Sequence, residues 1–380
     1  MQALYGFYTT RESLKKVVRD DLKETFTPSP LTHDMSDTEE IDLHRKKALR
    51  LYDENLEAKE LKADVNIPKI VLDEVNNAID QYYKEVKKEV ARTKKQMLDQ
   101  TYEIQDQYFK FLLLPGEFQF IEKQDQDKRE MARVAKNDPW QFNLQKNPII
   151  EALNTCEELQ KEVTKKKLSW QEDVAVLKTW YKDIIKTDEV FIEYQQKENP
   201  TIEEHQAIVA HLFKKLLFKN ELIVGFWEEE DLRWSENSLI LKSMITKTIQ
   251  EYDAQAEEPI ALKTISINEA DDFEFFETIF NNTIKEDEYF QGLISEKTKN
   301  WDITRLAQMD RIILKMALAE MMYCRSIPVK VSINEYIEVC KQYSTPKSKQ
   351  FVNGILDVLA NQLTSEGVIK KSGRGLIDNK

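Results

Sequence analysis

The sequence predicts an all-α protein, and three observations carry that prediction. Apolar residues recur at spacings of three and four over most of the chain, and strand-like alternation is scarce. Several segments open with the Ser/Thr-x-x-Glu pattern that closes the first turn of a helix with reciprocal hydrogen bonds. Only 8 of the 380 residues are Gly and 10 are Pro. Those are too few breakers for a loop-rich β protein or for a glycine-rich nucleotide-binding architecture. With 41% hydrophobic and 32% charged residues, the chain can build a core but must carry a very polar surface.

Taken in order, Phe26–Glu40 holds two prolines, Ser, Thr and acidic residues with little apolar content, and is expected to be disordered. Val71, Val75, Ile79, Tyr82, Val86, Val90, Thr93 and Met97 then form one stripe of a long amphipathic helix. Pro115 is expected to end it near Leu114. Amphipathic segments follow at about 149–165, 170–186, 201–219, 235–253 and 269–284. Capping boxes are expected at Ser169–Glu172, Thr201–Glu204 and Ser332–Glu335. Ile260–Ile267 reads as an extended linker, and Asp253–Pro259 as a short connector. No repeat of fixed period is evident.

The formal net charge is −13, which taken alone argues against a nucleic-acid binder. The distribution is uneven. Residues 291–380 hold 14 Lys/Arg and 9 Asp/Glu, a balance of +5, which leaves −18 on the other 290 residues. Three cysteines, Cys156, Cys324 and Cys340, with no C-x-x-C pair, support neither a disulfide framework nor a zinc site and fit a reducing cytoplasm. Cys324 and Cys340 sit in apolar helical patterns and read as buried hydrophobes. The four histidines, His33, His44, His205 and His211, lack the i, i+4 geometry of a helical metal site and read as surface or groove residues. There is no P-loop, nucleophile elbow or dinucleotide fingerprint, so no enzyme, cofactor or metal is expected. No apolar run reaches the ~20 residues that span a bilayer.

Asn300–Leu363 is the informative region. Asp302 is expected to cap a helix whose apolar face is Leu306, Met309, Ile312, Ile313 and Met316. Asp310, Arg311 and Lys315 lie opposite, as solvated surface or as a docking face. Ser326–Val331 reads as an extended connection, because the residue before Pro328 is pushed away from α. The loop Tyr343-Ser-Thr-Pro-Lys-Ser-Lys-Gln350 then leads to Phe351. Thr345 can cap, Pro346 suits a first helical position, and the free N–H groups behind them favour an anion. Lys347 and Lys349 add charge, Ser348 a hydroxyl, and Phe351 a ring able to stack on an unpaired base. An ordinary helix start with Phe351 in the core accounts for the same residues.

The ordered runs Ile327-Pro-Val-Lys-Val-Ser-Ile-Asn-Glu335, Ser344-Thr-Pro-Lys-Ser348 and Phe351-Val-Asn-Gly-Ile-Leu-Asp357, preceded by Trp301–Glu320, resemble the C-terminal half of the NusB family. Met1-Gln-Ala-Leu-Tyr5 resembles the family's first helix. About 100–290 is similar to the enlarged form of Bacteroidetes-type bacteria, with Lys167–Trp170 and Leu232–Trp234 among the matching runs, whereas 25–95 departs from it. The resemblance implies two packed helical-bundle subdomains with a large helical insertion. The expected parts are a first helix at 1–24, an insertion at 25–95, an enlarged helical region at 96–290 and a C-terminal NusB-like domain at 291–380.

The resemblance also implies binding of boxA-type single-stranded RNA in ribosomal RNA transcripts. It implies the ribosomal protein NusE as a partner and, through other Nus factors, the RNA polymerase elongation complex. RNA-contacting positions carried over are Gln2, Tyr5, Lys347, Ser348, Lys349 and Phe351; partner-contacting positions are Asp310, Arg311 and Leu314. NusB chains usually carry an Arg-rich segment just before the Q-A-L-Y run, whereas this sequence begins at that run with Met1. We expect the natural start to lie upstream; losing two or three phosphate contacts would flatten the salt slope by about two to three units. A NusB-like domain of a ribosomal RNA methyltransferase would need glycine-rich loops, and four of the 8 Gly fall after residue 350. A helical scaffold that has lost RNA binding is the other alternative, and the −13 charge keeps it open.

Overall fold

The computed structural model describes residues 1–27, 35–57, 67–131, 139–253, 258–298 and 307–379, and no strand occurs among them. The helices in order are α1 (Gln2–Thr25), α2 (Met35–Asn55), α3 (Lys69–Met131), α4 (Pro148–Thr155), α5 (Glu157–Lys166), α6 (Val174–Trp180), α7 (Glu189–Gln195), α8 (Ile202–His211), α9 (Glu221–Glu230) and α10 (Trp234–Gln250). They continue as α11 (Glu269–Lys285), α12 (Asp287–Lys297), α13 (Gln308–Tyr323), α14 (Val329–Tyr343) and α15 (Ser348–Ser365). Among the described residues, no helix is long and apolar enough to cross a membrane.

The chain forms two compact units, Met1–Leu98 with Asn268–Lys380, and Asp99–Ile267. This division differs from the one drawn from the sequence. The 25–95 segment packs into the first unit, and α11 joins it there instead of the enlarged middle. The reason is apolar pairing across long sequence distances. Val18 and Leu22 of α1 are buried with Leu51 and Tyr52 of α2 and with Val71 and Val75 of α3. Phe7 and Tyr8 of α1 are buried with Phe280 of α11 and Ile312 of α13. Helix α2 also starts inside the stretch expected to be disordered, and Phe26 is buried; residues 28–34 lie outside the described ones.

The first unit's carboxy-terminal bundle is built around α13. Its buried residues run almost without a break from Ile312 to Met321, and α11, α12, α14 and α15 pack on it. A helix covered on every side has no polar face to show. This corrects the reading of Asp310 and Lys315 as surface: both are buried and held by partners inside the protein. Asp302 and Leu306 lie outside the described residues.

The second unit is organised by aromatic packing on the latter part of α3. Phe111 stacks on Trp227 at 4.4 Å, on Phe218 at 5.1 Å and on Trp234 at 5.9 Å between ring centroids. The Trp170 indole N–H donates to the Lys110 carbonyl at 2.8 Å. This core explains why α3 runs through Pro115 instead of ending at Leu114. An internal proline costs a helix about 3 kcal/mol. Phe111, Leu112, Leu114 and Phe118 are all buried around it, each contributing roughly 1.5–3 kcal/mol that a break would forfeit. The next residue, Gly116, faces the Asn154 side chain of α4, whose Oδ1 would lie 2.4 Å from a Cβ and would have to turn aside.

The helical segments expected at 149–165 and 170–186 are each interrupted, the first by extended backbone at Cys156, the second by a start delayed to Val174. Of the three expected capping boxes only Thr201–Glu204 forms, with the Thr201 hydroxyl on the Glu204 N–H and the Glu204 carboxylate on the Thr201 N–H. Ser169 precedes a turn, and Ser332 lies inside α14, which already starts at Val329 behind Pro328. Thr201→Ala is therefore expected to destabilise the second unit by about 1 kcal/mol, whereas Ser169→Ala should cost nothing through capping; urea melts of the two variants check this. Residues 260–267, expected as an extended linker, form neither helix nor strand, bend at Ile265 and Ile267, and are pinned to α3: Lys263 N–H donates to Tyr108 Oη (3.0 Å) and Ile265 N–H to Gln105 Oε1 (3.1 Å).

Candidate nucleic-acid interface

The loop between α14 and α15 is shaped by one buried carboxylate. Asp310, 4% exposed at the start of α13, accepts from the Ser348 hydroxyl at 2.8 Å and from the Ser344 hydroxyl. Ser348 also bonds the Thr345 hydroxyl (2.8 Å) and the Ser344 hydroxyl (2.9 Å), and its N–H donates to the Thr345 carbonyl (2.9 Å). Residues 345–348 thus make a turn, and α15 starts at Ser348, later than a helix with Pro346 in its first position. The carboxylate sits at the positive end of the α15 dipole, where negative charge is favoured. Position and pairing make Asp310 a structural anchor of this loop.

Ser348 is correspondingly buried, with its hydroxyl committed inward. That corrects its assignment as an outward phosphate contact. Lys347 and Lys349 flank it and are both exposed. Among the described residues no ion pair takes up either ammonium. Phe351 is half-buried, packed against the cluster of Val352, Leu356 and Tyr336. Gln2 and Tyr5 are exposed on α1, Tyr5 at 41%. Met1 packs against the same cluster as Phe351, so the start of α1 and the start of α15 share one support. The arrangement offers two ammonium groups on a fixed turn, a half-buried ring edge and an exposed phenol. That is chemistry for holding a single-stranded polyanion and its bases.

The expected partner face does not survive as drawn. Leu314 is fully buried and Asp310 is the loop anchor; of the three residues only Arg311 reaches solvent. Sequence spacing could not show this, because the hydroxyls that satisfy Asp310 lie 34 and 38 positions away.

The histidines are structural where described. His205 is buried, against expectation, with Nδ1 2.7 Å from Tyr194 Oη, and His211 Nε2 lies 2.9 Å from Asp188 Oδ1. His33 lies outside the described residues. Cys340 is buried as expected, while Cys324 is half-exposed at the end of α13. Among the described residues no group of His, Cys, Asp or Glu is arranged to hold a metal.

The NusB family pattern matches residues 238–361. A stretch of 141 residues is 37% identical to the transcription antitermination protein NusB of Salinibacter ruber, covering 36% of this chain and 88% of that protein. This chain belongs to the NusB family. The protein of the same name from Chloroherpeton thalassium is 46% identical over 105 residues, 28% of this chain and half of that relative's length. That of Natranaerobius thermophilus is 38% identical over 91 residues, 24% of this chain and 66% of its own. Among solved structures, NusB of T. maritima aligns at 26% identity over 44% of this chain and 94% of that one, with a TM-score of 0.24. The NusB match therefore takes in α11–α14 and most of α15, including the loop just described.

Proposed function

We propose that this chain is a non-catalytic, RNA-binding transcription antitermination factor that recognises boxA-type single-stranded RNA in ribosomal RNA transcripts. The observation that carries the reading is the α14–α15 turn. It lies within the family match and presents Lys347 and Lys349 to solvent on a backbone fixed by Asp310. In this reading the two ammonium groups hold phosphates, Phe351 stacks on a base, and Gln2 and Tyr5 extend the contact along α1. Ser348 acts through the turn and does not touch RNA. The protein acts together with the ribosomal protein NusE, for which Arg311 is the accessible contact on α13, and reaches the RNA polymerase elongation complex through other Nus factors.

Binding of a labelled boxA-like RNA, with and without the ribosomal partner, tests this. Lys347→Ala with Lys349→Ala removes two phosphate contacts and should flatten the salt dependence of log K by about one to one and a half units. Phe351→Leu keeps an apolar body for the core but removes the stacking surface, and should cost about 1–3 kcal/mol of RNA affinity. Equal binding by wild type and both variants would refute the site. Absence of RNA binding in all three proteins, wild type included, with retained partner binding, is the signature of the scaffold alternative.

A further inference from the structure

The positive charge of the carboxy-terminal region is not confined to the α14–α15 loop. Residues 324–330 (CRSIPVK) and 368–377 (VIKKSGRGLI) hold five of the fourteen basic residues of 291–380 and none of its nine acidic ones. The rest of that region sums to zero, with the three lysines of 341–350 offset by acidic residues elsewhere in it. The fold brings them together. The Ser372 N–H donates to the Arg325 carbonyl at 3.0 Å, and the Lys371 ammonium donates to the Cys324 carbonyl at 2.9 Å. Gly375 is buried so tightly that a Cβ would lie 2.2 Å from the Arg325 carbonyl oxygen. That contact is with backbone, so no side chain could yield to it. The tail is seated on the loop after α13, and the seat requires glycine.

Lys371 is consumed in making the seat, but Arg325, Lys370 and Arg374 are exposed around it. Among the described residues no ion pair takes up any of the three. Asp310 marks one end of α13 beside Ser348, and Cys324 marks the other beside Lys371. Fourteen residues of helix separate these two ends by about 21 Å. The bundle thus has a lysine-bearing turn at one end and an arginine- and lysine-bearing seat at the other.

We propose that the tail seat formed by Arg325, Lys370 and Arg374 is a second, sequence-independent contact for the phosphate backbone of the RNA that the α14–α15 loop binds. Three exposed cations that no ion pair takes up among the described residues, held on a seated backbone, fit a polyanion. An RNA long enough to run past the first site meets them without further rearrangement of the bundle. The proposal rests on the reading of this chain as an RNA-binding protein, and it gives that RNA a minimum length.

The experiment compares a boxA-like RNA alone with the same RNA extended at both ends by oligouridylate, titrated against the full chain over a series of salt concentrations. Arg325→Gln/Lys370→Gln/Arg374→Gln should leave binding of the short RNA unchanged and make the salt slope of the extended RNA shallower by about two units. Gly375→Val keeps every charge but unseats the tail, and should shift the extended RNA in the same direction. An unchanged slope for the extended RNA in the triple variant overturns the proposal, and is the result expected if the seat takes an acidic protein instead. The Lys347→Ala/Lys349→Ala variant separates the two readings. If it binds the short RNA normally while the tail variants still weaken the extended one, the loop assignment fails and the seat stands.

Discussion

Asp287→Ala lowers the stability of the first unit by about 3–5 kcal/mol, the cost expected when one partner of a buried ion cluster is removed. Asp287 opens α12 and is the one carboxylate of a cluster with two cations. Its Oδ1 accepts from the Lys315 ammonium and from Tyr8 Oη (2.8 Å), and its Oδ2 accepts from Arg11 Nη2 (2.9 Å). The Lys315 side chain is only 9% exposed. The Tyr8 ring lies beneath both cations, at 4.8 Å from the Arg11 guanidinium and 5.5 Å from the Lys315 ammonium. The cluster ties α1 to α12 and α13, so its loss loosens the join that also supports Met1 and the start of α1. Without Asp287 two like charges share a dry site. Lys315→Met, by contrast, leaves Asp287 paired to Arg11 and should cost far less, because an apolar replacement needs no desolvation. Similar losses in the two variants, measured by urea melts with hydrogen exchange on α12 and α13, would mean the cluster is not electrostatically organised.

The same cluster sets an acid limit. Burial alone would raise the Asp287 carboxyl, but Lys315, Arg11 and the Tyr8 hydrogen bond outweigh it and hold the group below its ordinary 3.8. A depressed folded value means that stability is fully present above the unfolded value and is lost as pH falls through the folded one. The contribution of this cluster should therefore be lost only below about pH 4. In Asp287→Asn that acid-dependent contribution should be absent.

The helical class and most helix positions were legible because period and capping are local properties. The α10 and α11 segments and the Thr201 box depend on neighbours within a few positions, and all are present. What was misread depends on partners far away. Pro115 looked like a terminator until Phe111 met the second unit's tryptophans and Phe118 met Tyr181. Asp310 and Lys315 looked like one solvated face, because the hydroxyls of Ser344 and Ser348 and the carboxylate of Asp287 that hold them are 28 to 38 residues distant. In the candidate interface, the Lys347–Lys349 pair was legible from its Pro-Lys-Ser-Lys context, and both ammonium groups are exposed. The role of Ser348 was not, since a serine between lysines carries the same letters whether its hydroxyl faces solvent or an aspartate. The +5 balance was legible as a sum over 291–380, but not that the basic segments 324–330 and 368–377 meet, which a backbone hydrogen bond from Ser372 to Arg325 brings about.

Glu122→Gln should remove most of the pH dependence of the second unit's stability between about pH 4.5 and pH 7, a change of about 3 kcal/mol. Glu122 lies on α3 with no exposed surface. Its Oε1 accepts from Gln195 Nε2 and from Tyr181 Oη (3.3 Å), and its Oε2 has no hydrogen-bond partner. Burial pushes the carboxyl up from 4.5 to about 7, although the bonds from Tyr181 and Gln195 pull the other way. A folded value above the unfolded one means that the fold binds this proton more tightly than the unfolded chain does. The contribution is therefore fully present below 4.5, declines as pH rises and is gone once pH has passed about 7. Burial lowers the His205 imidazole, which acts in the opposite direction below 6.5, but it is common to wild type and variant and cancels in their difference. Glutamine keeps an oxygen for Tyr181 and Gln195 and carries no charge. Its amide nitrogen, left without an acceptor, costs about 1–3 kcal/mol at every pH, which offsets the curve without tilting it. The slope is thus the decisive reading. Urea melts followed by tryptophan fluorescence report this unit almost alone, since Trp140, Trp170, Trp180, Trp227 and Trp234, five of the six tryptophans, belong to it. A variant that kept the wild-type slope would show that Glu122 stays ionised in its site and that another group carries the dependence.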